Sequence, residues 1–168
     1  YFDLMDLPWK KLDEDCFDEV VIGEDTYAFA NKHQRFYERM AARFPKEREG
    51  LKKYVTFLKE VGDHIFGVFQ GDEHKRYTYS LLSRSAYEFL NETIKDPLLR
   101  KVLSGTSLKM ELNAPTLPLY TFAQINDSFI RSAWRLRGGG SQIADKLVEG
   151  ILSMGGEVKT HAAVTYIK

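Results

Sequence analysis

The chain has 168 residues, 43% of them hydrophobic, enough for one domain with a sizeable core. Its 24 Lys plus Arg balance 24 Asp plus Glu, which argues against a dedicated nucleic-acid surface, since that would be basic. The single cysteine, Cys16, excludes an internal disulfide framework, and no apolar run approaches the ~20 residues of a membrane-spanning helix.

No signal peptide stands at the start, which reads YFDLMDLPWKK without an initiator Met. Because the last stretch also stops abruptly at Lys168, an internal piece of a longer protein is expected. Residues 17–22 and 26–30 alternate apolar and polar, which predicts a hairpin with the three-residue loop Gly23-Glu24-Asp25. Cys16, just before it, has no neighbouring base to activate its thiol and reads as a small buried or half-buried side chain. Asn31 is the predicted cap of a helix that buries Phe36, Met40 and Phe44 and ends at Pro45.

The spacing of Leu51, Tyr54, Val55, Leu58, Val61, Ile65 and Phe69 predicts one long helix over 46–69. Its opposite side carries charges of both signs, the mark of a solvated face. Gly62 and Gly67 each weaken a helix by ~1 kcal/mol relative to Ala, so the second half, GDHIFGVFQG, is expected to kink or to line a gap. The apolar end formed by Phe66, Val68 and Phe69 suits burial, a membrane surface or an apolar ligand.

Residues 71–79 are polar and read as a loop holding an exposed His74. No two histidines stand at i, i+4 and no Cys/His cluster has ligand spacing, so no metal site is expected. A helix follows over 84–94, packing through Ala86, Phe89 and Leu90. Asp96-Pro97 opens another, with Leu98, Leu99, Val102 and Leu103, ended by Gly105. Residues 108–112 allow a short strand and 113–115 a turn. Thr116 is then expected to cap a helix whose buried stripe is Phe122, Ile125, Phe129 and Ala133. Tyr120, Gln124 and Asp127 lie on another side, facing either a pocket or water.

From Trp134 onward the pattern reads strand, glycine turn, helix, glycine stop, strand. Ser141 is the expected N-cap. Ile143, Leu147, Ile151 and Met154 give one apolar face, Gly155 sits where a helix ends left-handed, and residues 158–167 are rich in β-formers. The Gly138–Gly140 turn serves either as a tight structural turn or as a helix start that meets an anion. Its spacing is not G-x-G-x-x-G. Helices run together between separated strands, so the fold class is α+β: a helical cap with a small antiparallel sheet, closing with a helix and strand. No G-x-S-x-G, P-loop or singled-out carboxylate pair is present, so the residues name no catalytic group.

GGGSQ, then LVEGILSMGGEV, then AAVTYI resembles the segment by which FAD-dependent phytoene desaturases, carotenoid isomerases and retinol saturases re-enter their flavin domain. Pattern-level likeness continues upstream through FPKEREGLKKYVTFL and DPLLRKVLSG. The resemblance implies a parent oxidoreductase in which a flavin exchanges hydride with a hydrophobic polyene or isoprenoid. Residues 1–137 would then be the substrate-binding cap and 138–168 the start of the return to the FAD-binding domain. It further implies that Gly139, Gly140 and Val164 approach FAD, and that Phe66, Phe69, Tyr120, Phe122 and Gln124 face substrate. The nucleotide-binding G-x-G-x-x-G unit is absent, so this chain alone is expected to hold no FAD and to be inactive. Its expected partners are a hydrophobic small molecule and the missing FAD-binding domain, in the cytoplasm or in peripheral contact with a membrane. A lipid-binding module similar to GDP-dissociation inhibitors, and a helical interaction module without a ligand, are the alternatives.

Overall fold

The computed structural model of the chain describes residues 6–64, 71–110 and 116–167. In chain order its elements are β1 (Trp9–Lys11), β2 (Asp18–Ile22), β3 (Asp25–Phe29), α1 (His33–Arg43), a 3-10 turn at Pro45–Glu47, α2 (Arg48–Asp63), α3 (Asp72–Leu82), α4 (Ala86–Thr93), α5 (Pro97–Leu103), a second 3-10 turn at Gly105–Lys109, α6 (Leu119–Arg131), β4 (Trp134–Leu136) and α7 (Ser141–Ser153). With seven helices and two small antiparallel sheets among the described residues, the fold is α+β. The chain divides into two units, Leu12–Ala133 and a second made of Tyr1–Lys11 with Trp134–Lys168.

In the first unit, β2 and β3 pair from Asp18↔Phe29 to Ile22↔Asp25. Asp25 therefore belongs to the ladder, and the loop is the two residues Gly23-Glu24 rather than the expected three. Tyr27 and Phe29 point inward and are buried. The cap of α1 is Lys32 and not Asn31. Asn31 is buried and donates its side-chain amide to the Phe129 carbonyl at 2.7 Å, so its polar group is spent across the core on α6.

The predicted long helix ends at Asp63, and Ile65, Phe66, Gly67, Val68 and Phe69 lie outside the described residues. Up to that point its inner face holds, with Leu51, Tyr54, Val55, Leu58 and Val61 all buried. Tyr54 is the hub: its ring lies 6.4 Å from Phe36, 6.4 Å from Phe89 and 6.3 Å from Phe122. Each such buried apolar side chain stabilises the fold by ~1.5–3 kcal/mol.

Residues 72–82 form α3 where a loop was expected. The acidic Asp72 and Glu73 sit in its first turn, where the helix dipole favours them. Thr78 and Leu81 turn into the core, with Tyr77 packed beside them. Helix α4 starts at Ala86, two residues later than expected, with Ser85 as its cap accepting from the Tyr87 amide. Helix α5 starts as predicted, where Asp96 accepts from Leu98 and Leu99. Residues 105–109 make the second 3-10 turn, which takes in the start of the expected strand 108–112; residues 111–115, with the rest of that strand and the expected turn, lie outside the described residues. Pro118 rather than Thr116 stands at the cap of α6. The stripe that α6 buries is Leu119, Phe122, Ala123, Asn126, Asp127 and Ile130, rotated from the expected one so that Ile125 and Phe129 are only half-buried.

In the second unit β1 and β4 pair antiparallel, Trp9↔Leu136 to Lys11↔Trp134. Gly140 occupies the cap of α7 and Ser141 is its first residue, without a side-chain cap bond. The end of α7 is as predicted: Gly155 has φ 81°, its amide bonds Leu152, and the Gly156 amide reaches back to Ile151 at 2.8 Å, the paired bonds of a Schellman stop. Ile143, Leu147 and Ile151 are half-buried and Met154 is exposed. No strand forms over residues 158–167. Their β-formers favour a pleated surface only when a partner strand is there to make the ladder, and β1 and β4 pair with each other.

Candidate functional site

The last turn of a helix leaves carbonyls without intrahelical partners, and at the end of α2 side chains from α6 meet them. Gln124 donates Nε2 to the Val61 carbonyl at 2.8 Å. Arg131 donates Nη2 to the Lys59 carbonyl at 3.2 Å and to Asp63 at 2.6 Å, while Lys59 Nζ donates to the other Asp63 oxygen at 2.6 Å. The hydrogen bonds from Lys59, and then from Arg131, hold the Asp63 carboxyl down at about 2.

Arg131 also donates Nε to Asp127, which is 2% exposed. The other Asp127 oxygen accepts from His33 Nε2 at 2.6 Å. A carboxylate this deeply buried is tolerated only when both its oxygens are partnered, and here an arginine from its own helix and a histidine from α1 partner it. The Asp127 bond is the largest influence raising the Arg131 pKa. Gly62 makes room for the carboxylate, because a Cβ there would overlap Asp127 itself. The chain Lys59–Asp63–Arg131–Asp127–His33 thus clasps α1, α2 and α6 at one end.

Beside the clasp is a ring cluster. His64 Nδ1 lies 2.8 Å from the Glu60 carbonyl, and its ring lies tilted against those of Tyr77 at 4.8 Å and His74 at 5.5 Å. His74 is therefore half-buried rather than exposed. Tyr77 donates its hydroxyl to Glu60 at 3.2 Å; burial first, then the Glu60 charge, pushes its phenol up to about 12. Among the described residues no group of three His, Cys, Asp or Glu could hold a metal ion. Cys16 is half-buried, and its thiol donates to Glu19 at 3.3 Å. Burial and that acceptor raise its pKa, the opposite of what a nucleophile needs.

The residues implied by the sequence as substrate-facing are placed as follows. Phe66 and Phe69 lie outside the described residues. Phe122 is fully buried against Tyr54, Gln124 is spent on α2, and Tyr120 packs half-buried on the core. Of those implied to approach a flavin, Gly139 has φ 100°, and an added Cβ at Gly139 or Gly140 would meet nothing within 4 Å. Gln142 closes the turn by donating to the Arg137 and Gly139 carbonyls at 2.7 and 2.9 Å. Val164 is 78% exposed. The clasp was not found from the sequence. Its signal was there in part, as an acid and a base four apart on α6, Asp127 and Arg131, opposite a helix glycine, but the His33 partner is 94 residues away.

What these units define by themselves is an α+β helical body with a charged clasp. No family model matches the chain, and no solved structure matches it. Among curated proteins it is similar to all-trans-retinol 13,14-reductase of Danio rerio, 29% identical over 184 residues that cover 96% of this chain and 30% of that protein. The chain therefore spans about a third of the length of the relative it matches. Among the described residues no helix is long and apolar enough to cross a membrane.

Proposed function

We propose that this chain is the substrate-binding part of an FAD-dependent oxidoreductase acting on a hydrophobic polyene or isoprenoid, with a retinoid as the first candidate. The observation that carries the reading is the likeness to a retinol reductase, which runs through 96% of the chain rather than through one motif. The aromatic body, residues 12–133, supplies apolar walls, which such a ligand needs. Tyr120, Phe66 and Phe69 are the ligand-facing side chains of this reading, while Phe122 packs on Tyr54 in the core and Gln124 fixes the end of α2. The clasp serves the same end: it holds the last turn of α2 to α6 and α6 to α1.

Residues 138–168 begin the return to a nucleotide-binding half. The open backbone at Gly139 and Gly140 and the first-turn N–H groups of α7 suit a pyrophosphate, and Val164 meets the adenine end through its backbone. The flavin, when bound, supplies the hydride chemistry. The exposed Leu152, Met154, Val164, Tyr166 and Ile167 are apolar enough to be covered by that half. The chain by itself holds no flavin and turns over nothing. The test is to incubate the full-length gene product with all-trans-retinol and a reductant and to weigh the retinoid. A product two hydrogens heavier is expected. Retinol recovered unchanged from a flavin-loaded protein would remove the retinoid, and a protein without flavin that still carries a prenyl lipid would replace the oxidoreductase with a lipid-holding module.

A further inference from the structure

Away from the aromatic core, α1 and α2 leave an open groove between them of about 450 Å³, inside the range of small-ligand sites (~300–1,000 Å³). Tyr37 and Val55 give it apolar surface, and Lys52, Thr56, Lys59 and His33 also line it. None of the residues lining it is acidic; Glu49, one turn before Lys52, lines the neighbouring groove instead, and the other acids close by are engaged. Asp63 holds Lys59 and Arg131, Asp127 holds Arg131 and His33, and Glu38 accepts from Gln34 at 2.7 Å.

Lys52 is different. Among the described residues its ammonium has no hydrogen-bond or ion-pair partner, although it borders a groove with apolar walls. Thr56 stands four residues on along α2, which puts its hydroxyl on the same face. The groove therefore carries one surplus positive charge next to a hydroxyl, with an aromatic ring and a valine beside them. We propose that it binds an amphipathic organic monoanion, its carboxylate held by Lys52 and the Thr56 hydroxyl and its apolar body laid on Tyr37 and Val55. This site is independent of the flavoenzyme reading and survives its failure.

The whole chain is titrated with laurate, dodecanol and acetate, each below any micelle-forming concentration. Binding is followed by calorimetry and by amide NMR shifts. Laurate is expected to move the Tyr37, Val55 and Thr56 amides and to bind at least ten-fold more tightly than either dodecanol or acetate. Lys52→Glu, on an exposed helix face, is expected to weaken laurate ten-fold or more and to leave dodecanol unchanged. Gln34→Trp, which fills the groove from α1, is expected to block both. Equal affinity for laurate and dodecanol, shifts confined to other residues, or laurate binding that survives both substitutions would overturn the proposal. The comparison of the two probes on the unaltered chain decides the matter even if a variant does not fold.

Discussion

Gly62 and Asp127 carry the closest approach in the clasp, and both can be tested singly. Gly62→Ala gains ~1 kcal/mol of helix propensity but drives a Cβ into the Asp127 carboxylate. Overpacking of that kind costs ~1–3 kcal/mol, and displacing a buried, fully partnered carboxylate adds to it, so the steric effect wins. The expected outcome is a net loss of about 1–2 kcal/mol in urea unfolding, with an unchanged denaturant slope. Asp63 gives a pH signature. Its folded-state carboxyl is lowered from 3.8 to about 2, so the stability it contributes is present above 3.8 and is lost as pH falls through about 2. Acid titration of unfolding should show the wild type losing stability across that window and Asp63→Asn losing less of it. At this scale the sequence was least informative. Asp127 reads as one more polar residue on a helix, because nothing local reveals that its face points inward toward His33, and Asn31 looks like a cap although its side chain crosses to α6.

At the scale of elements the core stripe of α6 matters most. Phe122 is fully buried and packed edge-on against Tyr54. Phe122→Ala should cost about 3–5 kcal/mol, whereas Tyr120→Ala, removing a half-buried ring, should cost clearly less; thermal melts of the pair rank them. A larger loss at Tyr120 would mean that the face of α6 is misassigned. Helices were legible wherever apolar residues recur at helical spacing with a stop signal, as in α2 up to Asp63, in α5 with its Asp-Pro start, and in α7 with its Gly155 stop. They were missed where helix formation depends on packing. Helix α3 spells a polar stretch, and only the burial of Thr78 and Leu81 in the assembled body makes it a helix. Residues 158–167 failed in the opposite sense: β-rich composition predicts a strand, but a strand exists only with a partner.

For the whole molecule, every buried side chain among the described residues falls between Tyr27 and Ala133, inside the unit Leu12–Ala133. A chain of residues 12–133 is therefore expected to unfold cooperatively, with a midpoint within a few degrees of that of the whole. A broad, non-cooperative melt would show that the second unit supplies stability. The α+β class was legible from the order of helices and strands, and the likeness to a retinol reductase is what turns that class into a functional reading. The most direct measurement is the visible absorbance of two purified proteins, the chain of residues 1–168 and the full-length gene product that carries it. The expected result is no flavin band in the first and a stoichiometric one in the second. A folded full-length protein without flavin, or a stoichiometric flavin band in residues 1–168 alone, would contradict the assignment of this chain as the substrate-binding part of a flavoenzyme.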